Sequence, residues 1–136
     1  MLGERYSQRN ENLFDYVDKW LPLADQCFER GVFCAPMDPY ILFHTAAYLV
    51  WRSRLVPDHK GNVFEKETTG VYLKAEGIRK FQEYFQRFLE LKPGSWKKAM
   101  ETVWAFYPDD GIVLGIVPRK DEETKHRVLM ELAKKG

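Results

Sequence analysis

The stretch YILFHTAAYLVW, Tyr40 to Trp51, holds no charged residue and is apolar on nearly every side of a helix. A helix without a polar face needs neighbours on several sides, so this segment predicts a central helix wrapped by others. Asp38 and Pro39 mark its start. Aspartate is a strong N-cap, and a proline at the first helical position gives up an N–H that has no intrahelical acceptor. Pro57 marks its end, because the residue before a proline is pushed out of the helical region. The run is shorter than the roughly 20 apolar residues a bilayer demands, so no membrane association is predicted.

The flanking sequence supplies the wrapping. Leu13, Tyr16, Val17, Trp20, Ala24, Cys27 and Phe28 recur at intervals of three and four, the stripe of an amphipathic helix. Asn10 or Asn12 suits its start and Gly31 its end, while Pro22 inside it predicts a kink or a division into two helices. After the central helix, PDHKGNVFEKETTGVYL places turn residues around the β-prone groups Val63-Phe64 and Val71-Tyr72-Leu73. That pattern predicts a short β-hairpin over 63–73. The next helix is predicted over 74–91, burying Ile78, Phe81, Phe85, Phe88 and either Leu89 or Leu91.

KPGS then breaks the chain, and Ser95 is placed to cap a helix carrying Trp96, Ala99, Met100, Val103 and Trp104 on one side. YPDDG reads as a turn, and IVLGIVP as a single apolar strand that needs a partner in the hairpin or in another chain. Asp121, Glu122 and Glu123 open a last helix with Val128, Leu129 and Leu132. The predicted fold is mainly α: residues 1–136 as one compact bundle of about five helices, with a hairpin near 63–73 and room for one extra strand.

Composition narrows the function classes. A chain of 136 residues buries enough surface to fold without staples. Its aromatic content of 15% is high, which fits either a bulky core or a surface that seeks a partner. A formal net charge of +1 excludes strong whole-molecule attraction to polyanions. The charge is unevenly spread: residues 1–73 carry 8 Lys/Arg against 10 Asp/Glu, residues 74–136 carry 13 against 10. Cys27 and Cys34 have no accompanying ligand set, since His44, His59 and His126 are scattered, so no zinc site is predicted. The N-terminal MLGERYSQRNEN is polar and unlike a signal peptide. A cytoplasmic protein with reduced thiols is the expectation.

Candidate chemistry is sparse. His44 on the central helix is the strongest candidate for a shifted imidazole, against the ordinary reading of a buried histidine held by a hydrogen bond. Asp109 and Asp110 offer carboxylates to a hard cation, against the ordinary reading of a turn. There is no Gly-x-Ser-x-Gly elbow and no phosphate-binding glycine loop. No cofactor, no metal and no catalytic residue are predicted, and the chain reads away from enzymes.

Two binding readings remain. Arg52 and Arg54 precede the predicted hairpin, Lys60 and Lys66 lie within or beside it, and Lys74, Arg79, Lys80 and Arg87 follow on the next helix. Together they outline a nucleic-acid surface in which a hairpin reads a groove and the helix meets phosphates. The competing reading takes Arg52 and Arg54 as cations that satisfy a helix C-terminus. GVYLKAEGIRKFQEYFQRFLE resembles the wing-to-helix junction of winged-helix domains. It is also similar to the C-terminal helical region of the CRISPR-associated integrase family, through Gly70, Val71, Leu73, Glu76, Gly77, Phe81 and Tyr84. The resemblance implies an all-helical DNA-binding fragment without strand-transfer activity. DPYILFH is similar to that family's segment leading to its active-site histidine, but here His44 comes one residue early and no acidic segment follows, so no catalytic residue is carried over.

The leading expectation is a non-enzymatic interaction or adaptor subunit of a larger assembly, engaging a protein partner or a second copy of itself. Thr68 and Thr69 at the hairpin tip and Val113 and Ile116 on the unpaired strand are its predicted contact residues. The alternative is a small nucleic-acid-binding accessory using the 63–73 hairpin and the 74–92 helix.

Overall fold

Apolar residues spaced by three and four wind into helices that stack their stripes on one another. The structure, a computed structural model, describes residues 20–54 and 70–135, with side chains from residue 75 onward in the second stretch. Helix α1 covers residues 20–34, α2 is Pro39–Arg54 and α3 is Gly70–Leu91. A 3-10 turn, Pro93–Ser95, leads into α4, Trp96–Trp104, followed by the short α5, Asp110–Leu114, and α6, Glu122–Lys135. Among the described residues no helix is long and apolar enough to cross a membrane.

Helix α2 is the hub. Asp38 caps it as its sequence predicts, accepting from the Tyr40 and Ile41 N–H groups at 2.9 and 3.3 Å. Leu42, Phe43, Thr45, Ala46, Val50, Arg52 and Ser53 are buried, whereas Tyr40, His44 and Trp51 are exposed, so the wrapping is not complete. Helix α3 runs antiparallel to it. Phe43 meets Phe85 and Phe88 at ring-centroid distances of 5.7 and 5.2 Å at one end, and Gly77 meets Ser53 at the other. Helix α1 packs on α2 in the same antiparallel sense, Asp25 facing Arg52 and Phe28 stacking on Tyr48.

The α3 stripe is the one the spacing predicts: Phe81, Phe85, Phe88 and Leu89 are buried, with Ile78 packed beside them, and Leu91 is exposed. Burying each such ring or leucine contributes roughly 1.5–3 kcal/mol. Ala99, Met100 and Val103 of α4 and Val128 and Leu132 of α6 complete the same core, while Leu129 faces out.

Several expectations are corrected. The strand over Val71-Tyr72-Leu73 is replaced by helix, because α3 begins at Gly70. An isolated two-stranded hairpin is marginal in water, and the backbone of the helix that carries the 78–89 stripe extends N-terminally through these residues. Val63 and Phe64 lie outside the described residues, as does Pro57. IVLGIVP is not a strand either, and no strand occurs among the described residues. Asp109 N-caps α5 by accepting from Ile112 N–H at 3.1 Å. The carbonyls of Ile112 and Gly115 accept from the Gln82 and Gln86 side chains of α3 at 3.1 and 2.6 Å. With those carbonyls satisfied the segment needs no neighbouring strand, and Val113, Ile116 and Val117 enter the core at helical spacing.

At the termini of other helices, α1 continues past Gly31 to residue 34, and the Gly31 carbonyl accepts from Ala35 N–H at 2.9 Å. Ser95 makes no side-chain cap to α4, being the last residue of the 3-10 turn. Asp121 does cap α6: its carboxylate accepts from the Thr124 N–H at 3.0 Å and from the Thr124 hydroxyl at 2.5 Å. Those two bonds hold it below the usual carboxylate range.

Gly77 sets how closely α2 and α3 approach. A Cβ there would lie 2.8 Å from the Ser53 Cβ, an atom that no rotamer change can move. Ser53 is further fixed by a 2.6 Å hydrogen bond between its hydroxyl and that of Tyr107. Gly77→Ala gains roughly 1 kcal/mol of helix propensity but forces the helices apart, and a net loss of about 1–3 kcal/mol is expected. A lowered urea midpoint with unchanged slope checks this, and equal or greater stability would show that the helices can part without cost.

Candidate functional site

Of the predicted nucleic-acid residues, Arg52, Arg54, Arg79, Lys80 and Arg87 have described side chains, and most of these are engaged within the bundle. Arg52 is 7% exposed, and its Nε and Nη2 donate to the Asp25 carboxylate at 3.2 and 3.4 Å. It is an internal strut, not a phosphate contact or a C-terminal cap. Arg54 is exposed and lies over the Tyr107 ring, 5.6 Å from its centroid. On α3, Arg79 pairs with Glu76 at 2.6 Å, Lys80 with Glu29 at 3.2 Å and Arg87 with Glu83 at 2.9 Å. Lys74 is in the first turns of α3, while Lys60, Lys66, Thr68 and Thr69 lie outside the described residues.

The other predicted contact residues are withdrawn from solvent: Val113 and Ile116 are both 0% exposed in the core. The proposed edge they belonged to is the α5 turn. Asp109 is engaged as a helix cap and Asp110 sits in the first turn of the same helix. Among the described residues no group of three or more His, Cys, Asp or Glu is placed to hold a metal ion. Cys27 and Cys34 are exposed and unbonded on α1. His44 is exposed, against the expectation of burial, its ring 4.2 Å from that of Tyr40 and edge-on to Phe43. It shares no site with Asp109. Asp109 follows Tyr107, which bonds Ser53, and nine residues of α2 separate Ser53 from His44, about 13 Å of helix.

What the fold does bring together is the end of the bundle where α1 turns into α2. Phe33, Met37 and Tyr40 are 87%, 68% and 71% exposed, the three most exposed large hydrophobic side chains of the described residues. Beside them a groove of about 210 Å³ opens between the start of α2, the end of α3 and the start of α4. Phe43 and Phe88 form its floor, Tyr40 and His44 one wall, Lys92 and Lys98 the other. Lys98 Nζ stands 4.4 Å from the Phe43 ring centroid, a cation–π placement. The first turn of α4 holds no acidic residue, so Lys97 and Lys98 face a helix dipole that opposes them.

Two other depressions are less suited to a partner. One of about 650 Å³ joins Glu90 and Asp121 with Arg119 and Lys120, so its charges balance. The other, about 110 Å³, lies under α1 and is lined by Asp25, Thr45, Tyr48, Arg52, Gly77 and Lys80 among others. Its polar groups chiefly fasten α1 to α2. Tyr48 donates to Asp25 at 2.5 Å beside the Arg52 bonds, and this triad holds the helix that carries Phe33. The sequence signal for Asp25 was absent, because its partners lie 23 and 27 residues away.

Asp25→Ala removes the carboxylate to which the buried Arg52 guanidinium donates twice and is expected to cost about 3 kcal/mol, read from chemical denaturation. Folding raises the Tyr48 phenol above its ordinary value, with burial the larger cause and the Asp25 carboxylate the next. Its contribution is therefore complete below about pH 10 and drains as pH climbs toward the folded-state value. Tyr48→Phe should be less stable at neutral pH by about 1 kcal/mol, yet lose less stability than the parent above about pH 10. Parallel alkaline losses in both proteins would remove Tyr48 from that response. Compared with known proteins, the chain matches no family model, no curated protein and no solved structure.

Proposed function

We propose that this protein is a non-enzymatic interaction subunit that meets its partner through the end of the bundle at the α1–α2 turn. The observation that carries this reading is the concentration of Phe33, Met37 and Tyr40 at one turn, each more than half exposed. Single apolar side chains on a surface need no explanation, but a cluster of large ones around a groove is the signature of a contact face. Methionine and tyrosine suit such a face. The first adapts to irregular partners and the second covers area with little loss of conformational freedom.

The nucleic-acid reading draws less support. A phosphate backbone is bound by cations free to replace its counterions, and Arg79, Lys80 and Arg87 are engaged by Glu76, Glu29 and Glu83. An enzymatic reading through His44 and Asp109 loses its basis in the length of α2 between His44 and Ser53, the residue that Tyr107, two before Asp109, bonds.

The test is the triple substitution Phe33→Ser, Met37→Ser and Tyr40→Ser. Exposed positions of this kind change stability by no more than about 0.5 kcal/mol each, so the variant should fold normally. The parent is expected to form a self-associated species or a complex with protein from its native extract, by light scattering and pull-down, and the variant to lose it. If both proteins behave alike in both measurements, the reading is wrong.

A further inference from the structure

The groove beside Phe33, Met37 and Tyr40 has a charge character that narrows the partner's chemistry. Of the charged side chains that line it, Lys92 and Lys98 are cationic and none is acidic. Neither lysine has an ion-pair partner among the described residues, although Arg79, Lys80 and Arg87 of α3 are paired. The carboxylates nearest in sequence, Glu90 and Glu101, are directed elsewhere: Glu101, one turn on from Lys98, pairs with Lys135 at 3.4 Å. Asp38 caps α2 through two N–H bonds, and Glu90 lines the depression on another side of α3. The walls and floor are the rings of Tyr40, His44, Phe43 and Phe88.

We propose that this groove receives an acidic peptide segment of a partner protein, with an aromatic or aliphatic side chain as anchor. The anchor lies on Tyr40 and His44 over the Phe43–Phe88 floor, and carboxylates flanking it meet Lys92 and Lys98. This rests on the interaction reading above and specifies what that interface reads. A peptide is favoured over a nucleic acid because only two lysines line the groove, too few to track a phosphate backbone. The adjoining surface, Phe33 and Met37, is matched to apolar side chains and not to phosphates. Opposite charge at the rim of an aromatic pocket fixes the orientation of a bound segment and speeds its encounter.

A random-peptide display library selected on the full chain supplies the probe. Selected peptides should be enriched in Asp and Glu around one aromatic or aliphatic residue. A labelled peptide from that pool should bind about tenfold or more weakly to Lys92→Glu/Lys98→Glu, and similarly to Tyr40→Ser, in fluorescence anisotropy. Both lysines are exposed, and an unchanged thermal transition shows that the double variant is folded. Replacing the peptide's Asp and Glu by Asn and Gln should produce a comparable loss. Selection without acidic enrichment, or equal binding by the amide peptide, overturns the proposal. So does a labelled oligothymidylate that binds more tightly than the peptide and loses affinity with salt. If peptides fail while association that depends on Phe33, Met37 and Tyr40 persists, the interaction reading stands and this inference falls; if that association is also absent, both fall.

Discussion

The antiparallel contact of α2 with α3 is the constraint on which the remaining structure depends. It is held open at one end by rings and drawn shut at the other by the absence of one. Phe43 sits between Phe85 and Phe88, whereas Gly77 lets the backbone of α3 come against Ser53. The two helices are spaced by rings at the N-terminal end of α2 and meet closely at its C-terminal end. Interiors are packed to crystal-like density, so the flank of the ring-spaced end has to be covered, and α4 covers part of it, Lys98 lying over the Phe43 ring. What is left unfilled is the groove. Its position is a consequence of the phenylalanine end of the pair and not of a loop that happens to stand away.

Helix α1 adds to this pair by a different physics. Of its described residues only Val32 joins the main core cluster, and the helix is fastened also by the polar triad of Asp25, Tyr48 and Arg52. A buried ion pair contributes little net stability relative to apolar packing but is costly to break, and it admits few alternative registers. Fixing α1 this way, together with the Phe28–Tyr48 stack and the burial of Leu21 and Val32, places Phe33 and the α1–α2 turn in a set position. The large side chains there stay available to solvent, and so to a partner.

Much of the fold was legible because it is local. The spacing of Phe81, Phe85 and Phe88 names a helix face directly, and Asp38-Pro39 names a helix start by chemistry confined to four residues. IVLGIVP was read as a strand because a short apolar run interrupted by glycine carries no period of its own. Its outcome was decided by Gln82 and Gln86, about thirty positions earlier, donating to its carbonyls. Arg52 was read as a surface cation for the same reason, its acidic partner being one helix away. The candidate site was the least legible part. Aromatic content alone does not distinguish Phe81, which is buried, from Tyr40, which is not. A usable signal did exist in Lys97-Lys98, two cations at the start of a helix with no acidic neighbour in the first turn.

That signal is also the strongest argument for where function lies. Along α3 and α6 this chain neutralises several of its charges locally: Glu76 with Arg79, Glu83 with Arg87, Glu123 with Arg127 and Glu131 with Lys134. Each is an i,i+3 or i,i+4 pair that helps its own helix by a few tenths of a kcal/mol, roughly. At the start of α4 the rule is broken twice. Glu101, one turn on, pairs with Lys135, so neither lysine has an ion-pair partner among the described residues, and both stand at the helix end where a positive charge is disfavoured. Lys98 therefore carries an unbalanced charge on the rim of an aromatic groove, which is the charge that the acidic segment proposed above would balance.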